Sequence, residues 1–198
     1  MSERESPPLS PDRRALLDEL DRLERALGEL AGPLSDAAFR WRPEGDATWS
    51  VGLCVDHLAV TNEAYLERLR EAVAKGGAKA GAPRGPLRTS LFGRLFLSQL
   101  EPPPRYRVPA PPRIRPAEER LGDRAEVWRR FAASQESVRE LIRSTAGVAV
   151  DRVRFRNPFV RDLSVFTVAD GFEIVAAHER RHLHQAHKIL ARPDFPRA

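Results

Sequence analysis

Residues 167–191 read TVADGFEIVAAHERRHLHQAHKILA and contain four of the chain's five histidines. Thr167, with Asp170 three residues later, is typical of a helix N-terminus at which two side chains cap the first turn. His178 and His182 lie one turn apart on the apolar stripe that should face the protein interior. The stretch therefore predicts a long helix with paired imidazoles on its buried face.

Three further segments have helical patterns of similar length. Leucines recur every three or four positions over residues 11–30, and a second helix is predicted over 50–74, where Gly76-Gly77 should end it. The third is predicted over residues 118–145. All four helices are long enough to span a bundle, which predicts an all-α fold.

The connections between these helices differ in character. The connection 75–117 contains nine of the 17 prolines, which exclude a regular helix or central strand over much of its length. Within it, residues 87–100 are apolar enough for a short helix that is either a lid over the core or a wall of a substrate pocket. Residues 148–166 predict a crossover with at most a short strand. The predicted division is a flexible tail at 1–9, a single domain over 10–192 with the insertion 75–117, and a second tail at 193–198.

Composition bounds the class of protein. With 198 residues, 41% of them hydrophobic, the chain is long enough for one globular domain with a real core. It has no apolar run of membrane-spanning length and no signal-peptide pattern at its N-terminus, and Cys54 is its one cysteine, so no internal disulfide can form. We therefore expect a cytoplasmic protein with no membrane partner.

The charge pattern argues against nucleic acid as a partner. The net charge of +5 arises from 33 basic and 28 acidic residues, and most arginines have acidic neighbours in the sequence. A nucleic-acid binder should concentrate its basic residues on one face or segment. We expect a small-molecule substrate instead, and the sequence is compatible with a homodimer.

Helical spacing identifies three histidines as candidate metal ligands. His57 lies on an inward-facing row of the helix 50–74, so it can meet His178 and His182 across the core. Three neutral imidazoles suit zinc or nickel and leave one coordination position open. Two core histidines with ordinary hydrogen-bond partners explain the spacing equally well. His184 and His187 are rotated away from this face.

Two other interpretations use the same region. Residues 178–182, HERRH, match the HExxH pattern of zinc metalloproteases, in which Glu179 would activate water. Most such enzymes take a third ligand from further down the chain, and the 16 residues after His182 offer none that clears the same helix. Cys54, one turn before His57, fits a small core residue better than a fourth ligand.

Two linked motifs resemble the DinB/YfiT-like family of bacterial metalloenzymes. The first combines WRP at 41–43, TWSV at 48–51 and DHL at 56–58, and the second is HERRHLHQ at 178–185. The resemblance covers residues 11–192. It implies a four-helix bundle with long crossover connections, and a nickel or zinc ion held by three histidines. Carried over position by position, these ligands are His57, His178 and His182.

The resemblance also implies a class of chemistry. Family members with known activity include transferases that act on low-molecular-weight thiols such as bacillithiol, and a mycothiol-dependent isomerase. It therefore implies an enzyme that uses its metal to activate a thiol or water, with a metal-dependent hydrolase or a non-catalytic, metal-stabilised module as alternatives. Candidates for an apolar rim are Trp49, Tyr65 and Phe92 or Phe96, and Gln185 is a candidate for orienting a ligand.

Overall fold

The computed structural model describes residues 7–43, 48–103, 110–159 and 164–196. Their regular secondary structure is helical apart from one pair of very short strands, which confirms the prediction of an all-α fold. Short 3-10 turns occur at Pro112–Ile114, Glu118–Leu121 and Val150–Arg152. The remaining elements, in chain order, are α1 (Pro11–Ala31), α2 (Asp36–Arg40), α3 (Val51–Ala80), α4 (Leu91–Leu100), α5 (Arg124–Ser144), β1 (Arg154–Phe155), β2 (Phe166–Thr167) and α6 (Val168–Leu190).

The four long helices pack as a bundle. Both α1 and α3 contact α5 and α6, so each helix has two neighbours around a shared core. Leu69, late in α3, lies against Gly171 at the start of α6, whereas His57, early in α3, contacts His182 further along α6. The two helices are therefore antiparallel. Apolar side chains fill the interior in two clusters, one containing Phe172 and the other containing Phe131.

The helix predicted over 50–74 is longer in the structure, where α3 continues to Ala80. The glycine pair does not end it, because the helix packs closely against the chain at this point. A Cβ atom on Gly76 would lie 3.3 Å from a methyl group of Val153. The helix ends instead at Gly81, whose φ of 71° lies in the left-handed region that glycine adopts without strain.

Two other helix boundaries differ from the sequence prediction. The segment predicted as one helix over 118–145 is a 3-10 turn followed by α5, because Asp123 caps a new start by accepting a hydrogen bond from the Ala125 amide at 2.9 Å. The short helix α2 was not predicted. Its cap is Ser35, whose hydroxyl accepts from the Ala38 amide at 3.2 Å.

The start of α6 agrees with the sequence prediction. Thr167 Oγ1 accepts from the Asp170 amide at 3.2 Å, and the Asp170 carboxylate accepts from the Thr167 amide at 2.7 Å. The same carboxylate accepts from the amide and hydroxyl of Ser90, the cap of α4, at 2.7 Å each. A Cβ atom on Gly93 would lie 2.0 Å from Asp170 Oδ1, so only glycine permits this approach. The start of α4 is thereby fixed to the start of α6.

Within the segment 87–100, the sequence predicts that the apolar residues 91–97 pack against one end of the bundle, and helix α4 fulfils this prediction only in part. On one side its apolar residues contact the core, and the Phe96 ring lies 5.3 Å from that of Phe166 in an edge-on arrangement. The other side faces outward and exposes three large apolar side chains, Leu91, Phe92 and Leu95. The prediction is therefore wrong for this outward side.

The connection between α5 and α6 is a crossover with short strands, as predicted. β1 and β2 pair antiparallel, with Arg154 opposite Thr167 and Phe155 opposite Phe166. Residues 160–163 of this connection lie outside the described residues. The insertion 75–117 likewise contains no strand where it is described.

Described residues at both ends of the chain pack against the domain. Leu9, in the predicted N-terminal tail, contacts the core. Phe195, in the predicted C-terminal tail, is buried with its ring 5.3 Å from that of Trp41. The division into one domain and two tails stays a prediction, and residues 1–6 and 197–198 lie outside the described part. Within that part, no helix combines the length and the apolar character needed to cross a bilayer.

Candidate metal centre

Three histidines meet where α3 passes α6. His57 lies near the start of α3, and His178 and His182 lie one turn apart on α6. The Nε2 atom of His178 is 3.2 Å from that of His57 and 3.1 Å from that of His182. The histidines that helical spacing selected are thus brought together, with one ligand atom of each within 4.8 Å of the others.

A backbone carbonyl sets the tautomer of His57. Its Nδ1 atom lies 2.7 Å from the carbonyl oxygen of Ile114, in the 3-10 turn that follows the Pro-rich stretch. A carbonyl oxygen can only accept, so Nδ1 carries the proton and donates it. The Nε2 atom of His57 therefore presents a lone pair toward His178.

Burial keeps the three imidazoles neutral. His57 is 3% exposed and His182 is 5% exposed. Burial lowers the pKa of His57 to about 4, and it lowers the pKa of His178 and His182 well below the usual value. The neighbouring imidazoles and Arg181 lower the pKa of His178 and His182 further. The carbonyl of Ile114 and the carboxylate of Asp56 act in the opposite direction on His57, but burial has the larger effect. At neutral pH all three rings can act as ligands through nitrogen lone pairs.

The contacts among the Nε2 atoms fit a shared cation better than hydrogen bonds. With a lone pair on His57, a proton on His178 Nε2 can be donated to His57, but the same nitrogen then cannot accept one from His182. Two ordinary hydrogen bonds therefore cannot explain both contacts. Tetrahedral zinc with nitrogen ligands at about 2.0–2.1 Å separates those nitrogens by about 3.3 Å, close to the observed 3.1 and 3.2 Å.

A family model describing the DinB superfamily matches residues 19–186, most of the chain. The chain belongs to the DinB superfamily. This superfamily includes metal-binding enzymes, and the matched region contains all three of the converging histidines. Comparisons with curated proteins and with solved structures gave no match.

In this DinB-superfamily chain the glutamate of the HExxH pattern has a different environment from the one a metalloprotease needs. Glu179 is 2% exposed and accepts hydrogen bonds from Asn62 at 3.2 Å and from Gln135 at 2.8 Å. Burial raises the pKa of its carboxyl group to about 8. Its oxygens do not belong to the group of potential ligands formed by the described residues. The geometry therefore gives no support to a protease in which Glu179 activates water.

The remaining candidate ligands lie apart from the cluster. Cys54 is fully buried among apolar side chains, and this burial raises the pKa of its thiol. Among the described residues it does not join the three histidines as a fourth ligand. His184 is half-buried and His187 is exposed, and neither belongs to the cluster. The sequence-based distinction between inward and outward histidines agrees with these positions.

Of the predicted rim residues, Trp49 borders the cluster. Its ring lies parallel to that of His182, with centroids 5.6 Å apart, and edge-on to that of His57 at 4.8 Å. Tyr65 instead packs against Phe155 and Phe159, deeper in the bundle. Phe92 is exposed on α4 and Phe96 packs on Phe166. The side chain of Gln185 lies close enough to His182 to raise its pKa against the larger effect of burial.

Asp56 is a supporting residue to which the sequence analysis assigned no role. It is fully buried and accepts from Arg120 at 2.8–3.1 Å and from Arg130 at 3.2 Å. Arg120 also donates a hydrogen bond to the carbonyl of Arg115 at 2.8 Å. The adjacent carbonyl, that of Ile114, accepts the hydrogen bond from His57 Nδ1. Asp56 thus holds the segment that fixes the neighbouring imidazole. A single acidic residue within the apolar run 51–60 is the sequence signal for such a buried ion pair.

Proposed function

We propose that this DinB-superfamily chain is a metal-dependent enzyme in which His57, His178 and His182 hold a divalent nickel or zinc ion. We further propose that it activates a low-molecular-weight thiol for transfer to an electrophilic small molecule. The observation that carries the proposal is the convergence of three neutral imidazoles without a fourth cysteine, aspartate or glutamate ligand in the described part of the chain. Three protein ligands are typical of catalytic zinc sites, whereas structural sites are usually closed by four.

A divalent ion held by these residues would lower the pKa of a coordinated thiol or water and so supply a nucleophile at neutral pH. The chain's own residues orient and shield the ligands. Ile114 fixes the His57 ring, because its carbonyl binds the Nδ1 proton. Trp49 covers the flat face of His182 and excludes water from that side.

Two alternatives make different demands on this geometry. A non-catalytic, metal-stabilised module would be favoured by a fourth protein ligand, and Cys54 does not provide one. A hydrolase would use the same three ligands to activate water instead of a thiol. The ligand set suits both nucleophiles, so the choice between transferase and hydrolase depends on a direct assay.

The test compares the wild-type protein, loaded with nickel or zinc, with two variants. His57→Ala removes a proposed ligand, and His184→Ala removes a histidine outside the cluster as a matched control. Each protein receives a panel of small thiols with an activated aryl halide and, separately, an activated ester without thiol. We expect metal-dependent thiol conjugation that His57→Ala loses and His184→Ala retains. Metal-dependent ester hydrolysis without thiol would replace the transferase with a hydrolase, and the absence of both reactions would contradict an enzymatic role.

A further inference from the structure

The net charge of the chain is concentrated in one segment. Residues 72–100 contain five basic residues and no aspartate or glutamate, so this segment carries +5, which equals the net charge of the whole chain. The remaining residues are therefore balanced overall. The five basic residues are Lys75, Lys79, Arg84, Arg88 and Arg94.

The same segment exposes an apolar helix face. Leu91, Phe92 and Leu95 are 70%, 56% and 63% exposed, and among the described residues they are the large hydrophobic side chains that are exposed rather than buried or half-buried. Their positions place them on one side of α4. The opposite side contains Gly93, which packs on Asp170. The exposed face is thus held outward by the attachment of α4 to α6.

A basic cleft lies beside the end of α3. It has a volume of about 450 Å³, and its lining includes Gly76 and Val153. Lys75 pairs with Glu71 at 2.5 Å, whereas neither Lys79 nor Arg152 has a carboxylate partner in the described part of the chain. The four basic residues that line the cleft are Lys75, Lys79, Arg152 and Arg154. Such a cleft fits an anionic group of the size of a phosphate ester.

Direct contacts connect the cleft to the apolar helix. Arg154, at the cleft, pairs across the two strands with Thr167. Thr167 and Asp170 cap each other at the start of α6, and Asp170 binds Ser90 at the start of α4. The cleft and the first half of α4 therefore lie at the same end of the bundle. The histidine cluster lies further along α6, away from this end.

We propose that this end of the bundle docks on an anionic phospholipid surface. Leu91, Phe92 and Leu95 enter the interface, and the surrounding lysines and arginines bind the lipid phosphates. Exposed apolar side chains flanked by basic residues are typical of segments that lie on anionic membranes. A second copy fits less well, because pairing through α4 would bring two segments of +5 together. The sequence-based expectation of no membrane partner rested on the absence of a membrane-spanning segment. A protein that docks on the membrane surface needs no such segment.

The test measures co-sedimentation of the full chain with two kinds of vesicle, phosphatidylcholine alone and phosphatidylcholine with about 30% phosphatidylglycerol. The reference condition is about 0.1 M salt. We expect binding to the anionic vesicles, weakened by higher salt. Lys79→Glu with Arg84→Glu should weaken partitioning by at least about 25-fold, because each basic residue near the surface contributes about fivefold and each new carboxylate adds repulsion from the anionic lipid. Phe92→Ser with Leu95→Ser should also release the protein, and melting temperatures confirm that both double variants are folded.

The matched control is Arg22→Glu with Arg25→Glu, which changes the net charge equally at exposed positions on α1. This variant should retain most of the binding. The proposal would be overturned if both charge variants lost vesicle binding equally, or if the wild type bound equally to both vesicle types. The proposal would also be overturned if the wild type sediments as a dimer and the variant Phe92→Ser with Leu95→Ser sediments as a monomer. That result would identify a second copy of the chain as the partner of this surface. Failure to bind any vesicle would exclude lipid and favour an acidic protein partner.

Competition separates lipid phosphate from free phosphate. Inorganic phosphate is added to the vesicle assay in place of chloride at equal ionic strength. We expect little change, because the apolar contacts of Phe92 and Leu95 do not depend on the anion. Complete release by phosphate, with normal vesicle binding by the Phe92 and Leu95 variant, would reassign the cleft to a soluble phosphate ester.

Discussion

Replacement of Glu179 by glutamine should stabilise the protein at alkaline pH. The carboxyl group is 2% exposed, between α3 and α5, and accepts hydrogen bonds from the amide groups of Asn62 and Gln135. Burial raises its pKa to about 8 from an ordinary value of 4.5. The variant Glu179→Gln keeps the shape of the side chain and removes its ionisation.

The sign and size of the effect follow from proton linkage. Between pH 4.5 and about 8, folded Glu179 retains a proton that the unfolded chain has released. The free energy of unfolding therefore falls as pH rises through this window, and above it the full cost is about 5 kcal/mol at about 1.4 kcal/mol per pH unit. Glutamine does not incur this cost. Its NH₂ group can donate a hydrogen bond to Asn62 Oδ1 or Gln135 Oε1, which have no hydrogen-bond partner, after the amide of that residue rotates.

The assay is urea unfolding of the metal-free protein from pH 5 to pH 9. We expect Glu179→Gln to be no more stable than the wild type at pH 5 and to gain up to about 5 kcal/mol by pH 9. Glu140→Gln, at an exposed position on α5, serves as the control for loss of a carboxylate without burial. A difference between Glu179→Gln and wild type that is independent of pH would refute the reasoning, as would a variant that is less stable at pH 9.

Three further predictions concern packing and protonation. Gly93→Ala should lower the free energy of unfolding by about 1–3 kcal/mol, because its methyl group would clash with Asp170, whereas Gly28→Ala, with no atom within 4 Å, should raise it by about 0.5–1 kcal/mol. If urea unfolding gave the same change in stability for Gly93→Ala and Gly28→Ala, the close contact between Gly93 and Asp170 would be contradicted. The metal-free protein should lose stability as pH falls from 6.5 to about 4, because the unfolded chain protonates His57 before the folded one does; His57→Ala should flatten this part of the profile. Cys54→Ala should destabilise the protein without changing its metal content, and metal loss would show that the thiol is a ligand.

The sequence was sufficient where local chemistry decides the structure. The cap formed by Thr167 and Asp170 is a contact within one helical turn, so the start of α6 could be predicted from residue types alone. The spacing of His178 and His182 likewise places both rings on one face. Their approach to His57 required only that two apolar helix faces meet in the core.

Long-range contacts account for what the sequence did not predict. The extension of α3 through Gly76 depends on its close packing against Val153, which is far away in the sequence. The carbonyl of Ile114 has no sequence signal as a partner of His57, because every residue offers the same backbone group. The exposed face of α4 was unpredictable for a related reason, since apolar residues in a short helix normally indicate burial.

Metal content is the most direct test of the central claim that three histidines form one metal site. The protein is loaded with nickel or zinc, dialysed, and measured by inductively coupled plasma mass spectrometry beside single alanine variants. We predict one ion per chain in the wild type, its loss in His57→Ala, His178→Ala and His182→Ala, and its retention in His184→Ala and His187→Ala. Binding should also weaken as the pH falls toward about 4, because burial lowers the pKa of His57 to about that value and protons then compete with the metal for its nitrogen. No bound metal in the wild type, or equal loss in all five variants, would contradict the account.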